Sequence, residues 1–252
     1  MIIDTHCHLD KRDYDNLESV IMNMSNDIMI ASGADPKDNK NVIDLVNNYQ
    51  NIYGTIGIHP EFANTYTEDD LKFIEDNLSN PKIVGIGEIG LDYHWVSDNK
   101  EEQKQLFIRQ IRLAKKYNKT IVIHSRDAAS DTLDILKQEY DGKLKINMHC
   151  YSYSIETAKE LLKMNVKFGI GGVITFKNSK KIKEVVDYLS LSDIVLETDS
   201  PYLTPEPYRG KKNNPKNVYI VAEKIAELKD KNIEIVINTT TKTALSQFDL
   251  SL

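Results

Sequence analysis

The sequence predicts an α/β protein of the (β/α)8 barrel class, a TIM barrel. Three observations carry that reading: eight short runs rich in Ile and Val, segments of helical period between most of them, and acidic or imidazole side chains at the ends of the runs. Strands alternating with helices imply parallel pairing and right-handed crossovers. Eight such units in 252 residues match the size of a closed barrel. A doubly wound open sheet is the rival, but it brings together only residues beside its switch point. Here the first, third, fourth, fifth, sixth and eighth runs each lead into His, Glu or Asp. Only a closed ring sets the first and eighth side by side.

In chain order, the strand runs are 2–4, 27–31, 52–58, 83–88, 120–124, 145–149, 166–170 and 194–198. Between them, Val42, Leu45, Val46 and Tyr49 share a helical face, as do Leu133, Ile135 and Leu136. Leu106, Ile108, Ile111 and Leu113 share one more loosely. Thr67, ahead of Glu68, Asp69 and Asp70, is the expected N-cap of a further helix. The stretch from Ser200 to Pro215 holds four of the seven prolines and reads as a long loop over the barrel mouth. No linker, repeat or low-complexity tract interrupts the pattern, so one domain is expected over 1–252.

Hydrophobic residues are 40% of the chain, enough for a core. No apolar run approaches the roughly 20 residues of a membrane helix. The start, Met-Ile-Ile-Asp-Thr, lacks the basic and apolar regions of a secretory signal. Two cysteines, Cys7 and Cys150, suit a reducing compartment and read as small buried hydrophobes. The expectation is a cytoplasmic protein; no protein partner is inferred. A net charge of −6 argues against a general nucleic-acid coat. It leaves room for an enzyme acting on a nucleic-acid end, because two bound divalent cations would change the local charge.

All six histidines fall in short motifs bounded by strand runs. His6 and His8 are spaced i, i+2, so on a strand both rings face one way and can reach one ion. Ordinary polar residues leaving the first strand would also explain them. Glu88 ends Ile-Val-Gly-Ile-Gly-Glu, and one glutamate can give an oxygen to each of two ions; a buried salt bridge or helix cap is the alternative. Asp199 closes Ile-Val-Leu-Glu-Thr-Asp and can bind a metal while accepting a proton. Glu197, two residues earlier, competes for that role and is placed deeper, in a structural hydrogen-bond network. His124 and His149 end neighbouring strands about 5 Å apart, where the two rings could share a second ion or serve as satisfied core histidines. Two subsites follow: His6, His8, Glu88 and Asp199 for one ion, and Glu88, His124 and His149 for the other. A shared carboxylate with positions left for substrate marks a hydrolytic centre rather than a closed structural zinc.

Asp-Thr-His-Cys-His-Leu-Asp, Gly-Ile-His-Pro, Gly-Glu-Ile-Gly-Leu-Asp-Tyr, Ile-His-Ser-Arg, Gly-Gly-Val-Ile-Thr-Phe and Glu-Thr-Asp-Ser-Pro-Tyr-Leu, in that order, resemble the motifs of the TatD family of metal-dependent hydrolases. Pro-Tyr-Arg-Gly-Lys-Lys-Asn is similar too, so the likeness runs from residue 4 to about residue 218. The resemblance implies an amidohydrolase-superfamily barrel that uses divalent metal and acts as a DNase, often a 3′ to 5′ exonuclease. Its ligand positions fall on His6, His8, Glu88, His124, His149 and Asp199. Two departures stand out: Tyr153 occupies a position where the family has a small residue, and the C-terminal Thr-Asn pair is altered around Thr241-Lys242.

The expected chemistry is phosphodiester hydrolysis by water, with two divalent ions (Mg, Mn or Zn), Asp199 as general base and Glu88 bridging. DNA or RNA ends are the expected substrate. His59, Tyr93, His94, Arg126, Tyr202 and Arg209 are candidates for substrate contact. Arg126 could hold a phosphate bidentately or pair with Glu101 or Asp127. His59 could instead make a supporting hydrogen bond, and His94 could cap its loop. Lys211, Lys212 and Lys216 give the mouth loop a basic character, and Lys177, Lys180, Lys181 and Lys183 form a second cluster; solvated faces explain such runs equally. The runner-up is a dinuclear hydrolase of small amides or esters. Many of those bridge their metals with a carboxylated lysine, whereas here Glu88 stands at the end of the fourth run. A metal-dependent binding protein without turnover is the third reading.

Overall fold

The structure, a computed structural model, describes residues 1–95 and 98–250. Eight parallel strands form one sheet in chain order. They are β1 (Ile3–Cys7), β2 (Ile28–Ser32), β3 (Ile52–Ile56), β4 (Ile83–Asp92), β5 (Thr120–Arg126), β6 (Ile146–Met148), β7 (Lys167–Ile170) and β8 (Ile194–Leu196). The ring closes where Cys7 bridges Ser200 in parallel. Across the same seam the Thr5 hydroxyl donates to the Leu196 carbonyl at 3.0 Å, and the Asp199 amide donates to the His6 carbonyl at 2.9 Å. The fold is therefore the expected (β/α)8 barrel.

Around the sheet run α1 (Leu17–Met22), α2 (Pro36–Asn48), α3 (Glu68–Asn77), α4 (Lys100–Tyr117), α5 (Ala129–Glu139), α6 (Ile155–Leu162), α7 (Lys180–Tyr188), α8 (Val218–Leu228) and α9 (Ile233–Gln247). Their starts follow local chemistry. Asp35 accepts from the amides of Lys37 and Asp38 ahead of α2, with Pro36 as first helical residue. Thr67 and Asp70 form a full capping box on α3, as the sequence suggests. Among the described residues, no helix is long and apolar enough to cross a membrane.

The strand runs sit where expected, but their ends differ. β4 continues to Asp92, because Gly90 pairs with His124 and Asp92 with Arg126 in the ladder to β5. Glu88 thus lies within β4 rather than at its end, and no lysine follows it there. β1 reaches Cys7, while β6 and β8 stop short at Met148 and Leu196. The buried face of α4 is Leu106, Phe107, Ile111 and Ala114 together with two glutamines. Gln110 grips both backbone groups of Ile58, and Gln103 grips both of Asp92, all at 2.8–3.0 Å. Ile108 and Leu113, expected on that face, are only partly buried.

The lower end of the barrel is plugged by α9. Ala244 packs with Ile3, Ile28 and Val195, and Phe248 with Ile30, Val84 and Val122. The Thr120 hydroxyl donates to the Gln247 carbonyl at 2.6 Å, tying the plug to β5. The chain after β8 serves both ends. Tyr202 and Leu203 reach the upper mouth, whereas Lys216 pairs with Asp27, just before β2, at 3.1 Å. Lys216 is therefore no part of a basic mouth.

Candidate metal centre

The upper ends of the strands gather five side chains around Glu88. Its Oε2 lies 3.5 Å from His6 Nε2 and 3.8 Å from His8 Nε2. Its Oε1 lies 2.8 Å from His124 Nδ1 and 3.5 Å from His149 Nε2. One carboxylate thus turns an oxygen to each of two histidine pairs. Asp199 Oδ1 completes the first group at 3.7 Å from His6 Nε2 and 3.5 Å from His8 Nε2. Asp199 sits at a left-handed φ of 54°, and Cys150, next to His149, at 44°. Non-glycine residues hold that conformation only where their surroundings fix it.

The spacings around His6 and His8 suit a metal better than a hydrogen-bond network. The Nε2 atoms of His6 and His8 face each other at 3.3 Å, and the carboxylates around them stand beyond good hydrogen-bond length. A tetrahedral ion with bonds of about 2.0–2.2 Å sets neighbouring ligand atoms about 3.3–3.6 Å apart. Donor atoms from His6, His8 and Glu88, from His6, His149 and Asp199, and from Glu88, His124 and His149 each fall within 4.8 Å of one another. The donor set fits one or two divalent ions.

Each ring is oriented from its far side. Ser32 holds two of them: its hydroxyl lies 3.0 Å from His6 Nδ1 and its carbonyl 3.1 Å from His8 Nδ1. His124 Nε2 lies 2.8 Å from Asp92 Oδ2 in a hydrogen bond, and Glu197 Oε1 faces His149 Nδ1 at 3.2 Å as a charge partner without hydrogen-bond geometry. Partners of this kind set tautomer and ring direction in metal sites. Glu197 is fully buried, and Gly169 on β7 makes room for it, since a β-carbon there would stand 2.0 Å from its Oε2.

The charges follow this arrangement. Burial opposes ionisation throughout. For His149 it is outweighed by the charges of Glu197 and Glu88, which push the ring up to about 10. Burial of His124 is outweighed by hydrogen bonds to Asp92 and Glu88, which push it up to about 9. Burial of Glu88 is overcome by the His149 charge, the hydrogen bond from His124 and the nearby His6 ring, so its carboxyl falls well below the usual range. Burial of Asp199 is likewise overcome, chiefly by its contact with His8, and its carboxyl is lowered. His6 goes the other way: burial first, and then the neighbouring His149 charge, lower it.

A cavity of ≈ 830 Å³ opens over this cluster. Of the expected substrate contacts, His59, Arg126 and Tyr202 line it. Tyr93, His94 and Arg209 are not among its lining residues. The Tyr93 hydroxyl donates to Asp131 at 2.7 Å, His94 pairs with Asp127 at 3.0 Å, and Arg209 lies 3.8 Å over the Phe176 ring. Arg126 pairs with neither expected carboxylate. Glu101 goes to Lys104 and Asp127 to His94, while the guanidinium stands 5.2 Å over the Trp95 ring. Tyr153 turns its hydroxyl to Ser125 at 2.8 Å and to the Ala128 amide at 3.2 Å.

Sequence reasoning missed Ser32, Asp92 and Trp95. Asp92 was readable as the acid of Gly-Leu-Asp-Tyr once the fourth strand is carried past Glu88. Ser32 left no signal, since a serine after an apolar run is commonplace. A separate groove of ≈ 740 Å³ between α1 and α2 touches none of the six central residues, so the chemistry belongs to the mouth.

Comparison with known proteins points the same way. A family model described as TatD related DNase matches residues 3–249. The uncharacterized metal-dependent hydrolase YabD of Bacillus subtilis is 42% identical over 255 residues, covering 100% of each chain. YcfH of Escherichia coli K12, an uncharacterized metal-dependent hydrolase, is 34% identical over 254 residues, covering 95% of this chain and 92% of its own. Among solved structures, YJJV, a TatD homolog of Escherichia coli K12, matches with a TM-score of 0.88 at 26% identity, covering 99% of this chain and 98% of that one.

Proposed function

The chain belongs to the TatD related DNase family, and we propose that it hydrolyses phosphodiester bonds at the ends of nucleic-acid strands, DNA first, with two divalent ions. Family and fold make it a metal-dependent hydrolase of the TatD type. The observation that carries the finer reading is Glu88, with one oxygen toward His6 and His8 and the other toward His124 and His149, beneath a cavity wide enough for a nucleotide. No lysine takes the bridging place that the amide-hydrolase reading prefers.

Bound between these side chains, two divalent ions would lower the pKa of a water and neutralise charge developing on phosphoryl oxygens. The protein does the positioning. Asp199, ionised at neutral pH and lining the cavity, accepts a proton from the attacking water as general base. Arg126 has no carboxylate partner among the described residues and can present its guanidinium to a phosphate. His59 stands 4.0 Å from Glu88 Oε1 and shields that side of the cluster. Two free cysteines suit a reducing compartment, and a cytoplasmic place is part of the same reading.

The test offers end-labelled single-stranded DNA, RNA and a panel of N-acyl amino acids to the protein with Mg²⁺ or Mn²⁺. Shortening of DNA from one end, abolished by chelator, is expected. Cleavage of amides alone, or of nothing, overturns the reading.

A further inference from the structure

Trp95 is the only tryptophan of the chain, and it is 65% exposed. A single exposed ring needs no explanation by itself, but the setting of this one does. It stands on the rim of the catalytic cavity, three residues beyond the end of β4. Its position is built. The Trp95 amide donates to Asp92 Oδ1 at 3.1 Å, and the His94 amide donates to the same oxygen at 2.9 Å. The other oxygen of Asp92 holds His124. The turn that carries the indole is thus pinned to a side chain of the metal centre. The Arg126 guanidinium lies over the indole at 5.2 Å, within cation–π range.

In a ring of eight strands, β4 and β8 stand on opposite sides. Tyr202, 57% exposed, follows β8 and lines the other bank, with its ring 5.9 Å from that of His8. A strand drawn over the cluster therefore meets an aromatic face on either side. Arg126 brings a cation beside Trp95, where a phosphate adjoining a stacked base would fall. A planar ring coupled to an anion is the ligand this pairing recognises, and every nucleobase offers such a face.

We infer that Trp95 is a stacking platform for one nucleobase of the substrate strand, with Arg126 beside it to take the adjoining phosphate. The inference rests on the nucleic-acid reading and names the residue that makes a base, rather than a bare phosphodiester, the preferred occupant. A simple surface cation–π pair would leave substrate choice untouched.

Because the chain has one tryptophan, emission excited on the red edge, beyond tyrosine absorption, reports on this ring alone. The Mg²⁺-loaded protein is titrated with a phosphorothioate oligothymidylate, and separately with a matched chain of abasic phosphorothioates. Saturable quenching by the first and none by the second is expected. In steady state on the phosphodiester oligothymidylate, Trp95→Leu raises KM by roughly five- to a hundredfold with kcat little changed, as loss of a uniform binding contact does. Trp95→Phe keeps most of the affinity, and the KM of the abasic chain is the same in all three proteins. Unchanged emission, or equal KM increases for both chains in Trp95→Leu, overturns the platform. Quenching without cleavage of either chain by the wild type supports the platform and overturns the nuclease reading.

Discussion

The two ends of the barrel are built from the same strands and obey opposite rules. At the lower end, Ile3, Ile28, Ile30, Val84, Val122 and Val195 meet Ala244 and Phe248 of the plug, all nearly or fully buried. One inward step up the same strands, Ile30 gives way to Ser32, Val122 to His124 and Val195 to Glu197. Below, stability comes from non-directional burial of apolar area. Above, each buried polar atom needs a partner in a set direction. The boundary shows the strain between them: both side-chain polar atoms of Asn147, fully buried, and Oε2 of Glu197 have no protein partner. Substitutions at the two ends should therefore separate, with function lost at one and stability at the other.

The largest effect belongs to the upper end. Asp199→Asn should cut turnover about 10²- to 10⁴-fold while the circular-dichroism spectrum stays native. Activity near wild type would remove Asp199 from the chemistry. At the lower end, Phe248→Ala should cost about 3–5 kcal/mol in denaturant unfolding and leave metal stoichiometry unchanged. A loss of metal binding in that variant would break the separation of the two ends. Glu197→Gln lies between them. It keeps the volume but releases the charge behind His149, so metal affinity should fall about 10- to 100-fold, read by calorimetry, with a smaller change in unfolding.

The contrast also explains what was legible in the sequence. Strand runs were visible because β-branched residues cluster where both faces of a strand are buried, and the histidines because each stood where such a run gave out. Strand ends were not, because the ladder persists through Gly90 and Asp92, which read as a loop by composition. The plug was invisible: Ala244 lies in α9 and Phe248 caps its end, but nothing in the helical period says that the pair closes a barrel. The burial of Gln103 and Gln110 was not legible, since it serves the backbone of Asp92 at the end of β4 and of Ile58 beyond β3. Trp95 gave no signal because an aromatic residue reads as core until exposure is known.

The smallest expected effect tests the contrast through protons. With no ion bound, burial works against the charge on His149 and His124, but their carboxylate neighbours win, raising the two rings to about 10 and about 9. At pH 7 both rings carry a proton, and an imidazole must give it up to bind a metal. Filling the site beside Glu88 should therefore release close to two protons at pH 7 and progressively fewer as pH rises through 9 and 10, measured by titrating the chelated protein with Zn²⁺ in weak buffer. The same shifts fix the sign for stability. A histidine whose folded value lies above its unfolded one, about 6.5, stabilises the fold fully below that pH and loses the contribution as pH rises through the folded value. The metal-free protein should lose melting temperature between pH 7 and pH 10, and Glu88→Gln, which removes a carboxylate shared by both rings, should flatten that fall. The apolar lower end carries none of these charges, so Phe248→Ala should lower the whole curve without changing its slope. A slope unaltered in Glu88→Gln would show that these rings do not set the pH response and that the upper end is no more electrostatic than the lower.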